Sequence, residues 1–260
     1  GRSIHLSIAM LAQEANVSEP TVNRFCRSMN TRGFPDFKLH LAQSLANGTP
    51  YVNRNVDEDD SVEAYTGKIF ESAMASLDHV RQSLDKSAVN RAVDLLTQAK
   101  KIAFFGLGSS AAVAHDAMNK FFRFNVPVIY SDDIVLQRMS CMNCSDDDVV
   151  VLISHTGRTK SLVELAQLAR ENDAMVIALT SAGTPRAREA TLAITLDVPE
   201  DTDIYMPMVS RLAQLTVIDV LATGFTLRRG AKFRDNLKRV KEALKESRFD
   251  KELLIKSDDR

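Results

Sequence analysis

Disulfides are the first thing this sequence does without. Three cysteines occur in 260 residues, too few for a framework of bridges, which fits a reducing, cytoplasmic setting. Cys141 and Cys144 form a C-x-x-C pair in SCMNCSDDD. A zinc or redox role asks for a second pair, a histidine cluster or a thioredoxin-like context. None accompanies them, so they read as ordinary small, partly buried residues, and neither a metal nor a cofactor is expected. An excess of either charge is also missing. The net charge is -1, so no overall field attracts nucleic acid, and any such contact must come from a local patch. No apolar run approaches the ~18 residues needed to span a bilayer, which leaves no membrane partner. No signal peptide opens the chain. It runs from Gly1 directly into a helix-like pattern, and a further N-terminal segment is expected before it. Internal repeats and low-complexity tracts are absent as well.

What is there is a globular composition, 45% hydrophobic and 26% charged, long enough for two domains at roughly 150 residues each. Residues 1–46 are helical in pattern and mildly basic, an N-terminally incomplete head. The stretch NGTPYVNRNVDEDDS, 47–61, reads as a linker, its acidic run as solvated spacing rather than a metal site. From Val62 apolar residues recur at helical spacing (Ile69, Phe70, Ala73, Leu77, Val80, Leu84), and Ala88 to Ala99 repeats the pattern. Strands and helices then alternate: KIAFFGLG, a helix to about Phe124, VPVIYS, a helix from Ile134, DVVVLIS, a helix from Thr159 to Asn172, MVIALTS and LAITLDV. Met208 to Arg228 and a highly charged Phe233 to Lys245 close the domain, and 246–260 is a charged tail. Short Val- and Ile-rich runs between helices predict a parallel sheet covered on both faces. The fold class is therefore α/β with a helical head.

In the head, Ile8, Leu11, Ala12 and Ala15 share one helical face, and Val22, Phe25, Cys26 and Met29 share another. The intervening ANVS permits only a tight turn. Ser18 offers an N-cap hydroxyl, and Pro20 sits harmlessly in the first turn. Two short helices across such a turn predict a helix-turn-helix whose second helix enters a major groove. Its outward residues are Ser18, Glu19, Thr21, Asn23, Arg24 and Arg27, able to bond base edges or phosphates; Arg32 and Lys38 follow as phosphate contacts. Any surface helix can carry such residues, so the pattern alone leaves a plain solvated face open. The motif VSEPTVNRFCRSMNTRGFPDFK resembles the recognition helix and following turn of RpiR-type regulators, through Val17, Ser18, Thr21, Val22, Arg24 and Phe25, then Gly33, Phe34, Phe37 and Lys38. Met29-Asn30 stands where that family often has Leu-Gly, a mild departure because Asn tolerates the left-handed conformation.

The turn Gly106-Leu107-Gly108-Ser109-Ser110-Ala111 satisfies G-x-G-x-x-[GA], and Asp132-Asp133 closes the next strand, so a dinucleotide is one reading. Two hydroxyls at a helix start also suit a terminal phosphate. A second strand-to-helix turn, ISHTGRTKSLVELA, bunches Ser154, His155, Thr156, Gly157 and Thr159. Two hydroxyl-rich turns at the carboxyl ends of one parallel sheet favour a phosphosugar, held by neutral donors and helix dipoles. Helix capping is the plain alternative for each hydroxyl. Together the turns resemble the sugar isomerase (SIS) domain over roughly 62–245, which implies a three-layer αβα fold. The likeness also implies a phosphosugar bound by Ser109, Ser110, Ser154, Thr156 and Thr159. The stretch SRLAQLTVIDVL resembles a helix of the regulatory members and places Ser210 and Arg211 near the effector.

The whole sequence thus resembles an RpiR-family repressor, in particular the regulators of hexose catabolism. That likeness implies operator DNA as partner, action as a dimer or higher homo-oligomer, and 2-keto-3-deoxy-6-phosphogluconate as effector. Two alternatives remain open at the level of sequence. One is a sugar-phosphate isomerase using His115, His155 or Glu164 as general base; the other is a repressor sensing NADH. Catalysis is not expected.

Overall fold

The computed structural model describes residues 6–28, 31–38, 56–200 and 207–245. The tail at 246–260, most of the linker at 47–61 and the Met29-Asn30 step lie outside them. The described residues fall into two compact units, the division lying between Ser72 and Ala73.

In the first unit, helix α1 (Ile8–Glu14) is started by the Ser7 side chain, which accepts from the Met10 amide. It ends because Asn16 turns left-handed at φ 51° and the Val17 amide folds back to Ala12 O at 2.9 Å. Asparagine is among the few residues other than glycine that close a helix in this way. Helix α2 (Glu19–Ser28) follows at once. Ala12, Val22, Cys26 and Phe34 bury against one another, with Ile8, Leu11 and Phe37 at the margin. Phe25 departs from the face expected of it: it is 52% exposed and meets Phe37 edge to face at 5.9 Å. At 3.6 residues per turn it lies about 60° from Val22 on the side away from Cys26, beyond the reach of so small a core.

Helix α3 (Val62–Ser83) crosses the division. The acidic run before it is tied to its first turns, with Lys68 Nζ 2.8 Å from Asp57 and 2.7 Å from Asp60.

The second unit is an α/β layer structure. Helix α4 (Lys86–Gln98) leads into β1 (Lys101–Gly106), α5 (Ser109–Phe121), β2 (Val128–Ser131), α6 (Ile134–Met142), β3 (Asp148–Ile153), α7 (Lys160–Glu171), β4 (Met175–Thr180), α8 (Pro185–Glu189), β5 (Leu192–Thr195), α9 (Val209–Arg228) and α10 (Gly230–Lys245). All five strands are parallel, in the order β2-β1-β3-β4-β5. Strand side chains alternate between faces, so Ile102, Phe104, Val149, Val151 and Ile177 enter one core with α4, α5 and α9. Ala103, Phe105, Val150, Leu152 and Val176 enter a second core with α6 and α7. Every residue of β3 is buried, which is why it shows no polar alternation. The helix expected to reach Phe124 stops at Phe121 and tightens into a 3-10 turn, Phe122–Phe124, closed by left-handed Asn125. Gly224 lets α9 cross α4 closely, since a Cβ there would sit 2.6 Å from Val93 Cγ2.

One core residue opposes this packing. Arg186, on α8, is 0% exposed, and none of its three guanidinium nitrogens has a hydrogen-bond partner among the described residues. Burial pulls its pKa down to about 10. A buried charge without a partner is a cost to the fold, and an apolar side chain of similar volume removes it. Arg186→Leu is therefore expected to stabilise this unit by on the order of 1–4 kcal/mol, read as a higher thermal midpoint; a lower midpoint contradicts the assignment.

Candidate functional site

The strand order reverses direction beside β1, because β2 lies on one side of it and β3 on the other. Helix α5, which leaves β1, packs in one core, and α7, which leaves β3, packs in the other. Their strands end side by side, Gly106 opposite Ile153. A crevice opens where consecutive connections part to opposite faces of a parallel sheet, and ligands of such sheets bind there.

Both turns at this point are built around glycine. Gly106 is packed so tightly that a Cβ would lie 2.5 Å from Ser110 O, and Gly108 stands at φ +58°. Gly157 stands at φ +59°, and a Cβ there would run into the hydroxyls of Thr180 and Thr184. Because the two strands end side by side, the hydroxyls expected to act together lie at the same end of the sheet. Ser110 is 8% exposed and Ser154 6%, with Ser109, Thr156 and Thr159 half-buried. Ser154 Oγ accepts from the Gly157 amide at 3.3 Å, and Thr156 Oγ1 from the Arg158 amide at 3.4 Å. As acceptors within the loop, both keep their own hydrogen to donate.

Capping separates these two helices from their neighbours. Helices α4, α6 and α8 begin with side-chain bonds from Asp85, Asp133 and Thr184 to their first amides. Helices α5 and α7 begin at Gly108 and Thr159 with no side-chain cap. Their hydroxyls are present but are not spent on the backbone. In α5 the Ser110 and Ala111 amides turn back to Leu107 O and Gly108 O, and in α7 the Leu162 amide turns back to Thr159 O. The Ser109 and Lys160 amides that open the two helices are the ones left for an anion, which the positive end of each helix dipole favours.

Sequence reasoning missed the group that organises the rim. Glu200 accepts the amides of Met208 and Val209 at 2.8 Å each and that of Ser210 at 3.1 Å, together with the Ser210 hydroxyl. It thereby caps α9 from outside. Burial alone would push its carboxyl up; the Ser210 hydroxyl and the three amides outweigh burial and hold it below the usual glutamate range. Ser210, expected near the effector, is buried and its hydroxyl is committed to Glu200. Arg211, next along α9, is exposed. His155 places Nε2 3.2 Å from Glu200 O; a carbonyl only accepts, so the ring carries its hydrogen on Nε2. The His155 carbonyl is held by the Ser181 amide at 3.0 Å and hydroxyl at 2.8 Å, which fixes the β3–α7 turn to β4.

The candidate general bases are elsewhere or occupied. His115 is exposed against the Tyr130 ring, centroids 5.0 Å apart, and Glu164 is exposed and paired with Arg138 at 3.1 Å. Asp133, the acid a dinucleotide ribose would want, accepts the Val135 and Leu136 amides as the cap of α6. Cys141 is buried, its thiol pushed up to about 12 by burial first and by Cys144 second, the opposite of an activated thiolate.

In the first unit, Ser18 Oγ lies 2.9 Å from Thr21 Oγ1, to which Arg24 donates at 3.1 Å. Glu19, Pro20, Arg24 and Arg27 are exposed on α2. Asn23 turns inward and accepts the Phe34 amide at 3.0 Å, and Lys38 donates to Leu6 O at 3.1 Å. Both are thus structural ties as well as expected DNA contacts.

Comparison with known proteins decides the family. Residues 1–48 match the helix-turn-helix domain of the rpiR family, and 95–224 match the SIS domain. The chain is 93% identical over 258 residues to the HTH-type transcriptional regulator HexR of Escherichia coli, covering 99% of this chain and 89% of that protein. The chain belongs to the RpiR family of helix-turn-helix regulators with a SIS domain. HexR of Pseudomonas aeruginosa is 56% identical, covering 95% of this chain and 87% of that protein. Among solved structures, the Vibrio vulnificus NanR protein complexed with ManNAc-6P superposes with a TM-score of 0.66 at 25% identity, covering 95% of this chain and 89% of that one. The two HexR relatives are named transcriptional regulators, so this chain is a DNA-binding regulator rather than an enzyme. Among the described residues no helix is long and apolar enough to cross a membrane.

The turn geometry makes one prediction. Gly157→Ala meets both a left-handed φ and the Thr180 and Thr184 hydroxyls, so it is expected to destabilise the unit by about 1–3 kcal/mol. Gly183→Ala, at φ +69° with open space around its Cβ, should cost less. Equal midpoints for the two variants in thermal unfolding contradict the crowding at Gly157.

Proposed function

We propose that this chain is a cytoplasmic repressor of sugar catabolism whose hold on operator DNA is set by a phosphorylated sugar acid in the SIS domain, 2-keto-3-deoxy-6-phosphogluconate being the effector. The observation that carries the reading is the pair of uncapped helices, α5 and α7, meeting at the strand switch. One phosphoryl group has enough oxygens to take the free amides and the hydroxyls of Ser109, Ser110, Ser154, Thr156 and Thr159 together. Gly157 gives the backbone room to approach. His155, Ser210 and Arg211 act at the rim, His155 and Ser210 through Glu200. That the NanR protein was solved complexed with ManNAc-6P supports the same use of the fold here.

The head, residues 1–46, reads the operator through Ser18, Glu19, Pro20, Thr21, Asn23, Arg24 and Arg27 of the second helix and its cap, with Lys38 at a phosphate. Residues 47–61 join it to the effector domain at 62–245. One head alone makes too few contacts for specific binding, so the active form is a homodimer or higher homo-oligomer reading two half-sites. The effector acts by binding the two arrangements of that assembly with different free energies.

At about 100 times its dissociation constant the effector stabilises by ~2.7 kcal/mol. Ser110→Ala combined with Thr156→Ala is expected to abolish that shift in a thermal melt with 2-keto-3-deoxy-6-phosphogluconate while leaving promoter binding intact. Arg24→Ala is expected to do the converse. Loss of both activities in either variant contradicts separate modules.

A further inference from the structure

Helix α10 differs in charge from everything around it. It carries six Lys or Arg against two acids in sixteen residues, in a chain whose net charge is -1. Its inner face is fixed: the Phe233 ring meets Phe124 at 5.7 Å and Phe225 at 5.8 Å, and Leu237 packs on the same core. Arg234, Lys238, Arg239 and Lys241 are therefore turned outward, and all four are exposed.

Several cations elsewhere in this unit are neutralised within it. Lys100 pairs with Asp147, Lys101 with Asp148, Lys120 with Asp219 and Arg228 with Asp94. On α10 only Lys238 has an acid partner among the described residues, the exposed Asp235 one turn back at 3.3 Å; such a pair is worth little. Arg234, Arg239 and Lys241 have no partner among the described residues. Arg234, Lys238 and Lys241 follow at i, i+4 and i+7, which puts them in one row about 10 Å long at 1.5 Å per residue. A DNA strand offers a phosphate every ~3.4 Å of axis, so a row of that length faces about three.

We propose that the outer face of α10 is a second DNA contact, binding the phosphate backbone without reading bases. It rests on the regulator reading above, which supplies the polyanion this row complements. Such a contact adds affinity and salt dependence but no sequence preference.

The test uses the full chain and two duplexes of equal length, a fragment of its own promoter region and an unrelated sequence. Binding is followed by fluorescence anisotropy across a salt series for the wild type and for Arg234→Ser/Lys238→Ser/Lys241→Ser. The triple variant is expected to bind both duplexes more weakly by the same factor. Its slope of log affinity against log salt should be shallower by about 2.7 per protomer, at ~0.9 per phosphate contact. Its melting temperature and its response to 2-keto-3-deoxy-6-phosphogluconate should stay at wild-type values, and Arg234→Lys, which keeps the charge, should leave the slope at its wild-type value. An unchanged slope on both duplexes overturns the proposal, as does a loss confined to anionic phosphatidylglycerol vesicles or to polyglutamate. A wild type that binds neither duplex overturns the regulator reading instead.

Discussion

Parallel pairing of β1 with β3, while β2 occupies the far side of β1, is the constraint on which the rest of this molecule depends. It forces α5 and α7 onto opposite faces of the sheet while leaving their first residues side by side. Two helix N-termini without side-chain caps then start side by side at one end of the sheet. A caps-filled version of the same turns would be more self-sufficient and would bind nothing. Here the hydroxyls of Ser154 and Thr156 accept from their own loop and still have hydrogens to give.

The rim is organised by a single carboxylate. Glu200 gathers the amides that open α9 and lends its carbonyl to His155 of the β3–α7 turn. Packed helices respond to such ties as bodies, because a close-packed core does not deform continuously. Gly224 seats α9 directly against Val93 of α4. The β3–α7 turn and the start of α9 are thus joined through one residue, Glu200.

Much of this was legible in the sequence, for physical reasons. The alternation of apolar runs with helical stretches fixed the class, since only a sheet buried on both faces reads as DVVVLIS without polar interruption. Gly106, Gly108 and Gly157 marked the turns because their conformations or neighbours exclude a Cβ. The strand order was not legible, as no local signal says on which side of β1 the backbone returns. Glu200 was not legible either: it caps α9 from eight residues before Met208, a spacing no sequential capping pattern covers. Phe25 passed for a core residue because a four-residue core buries a narrower stripe than an extended helix face. The burial of Arg186 was not legible, since nothing in PRARE distinguishes a buried arginine from a solvated one.

The central claim is that one phosphoryl group occupies the crevice between the β1–α5 and β3–α7 turns. A crystal structure of the full-length protein grown with saturating 2-keto-3-deoxy-6-phosphogluconate tests it most directly. The account predicts phosphate density within hydrogen-bonding distance, about 2.5–3.2 Å, of the Ser109 and Lys160 amides and of the Ser110 and Thr156 hydroxyls. Density for the compound anywhere else in the molecule, with that crevice filled by water alone, would contradict it.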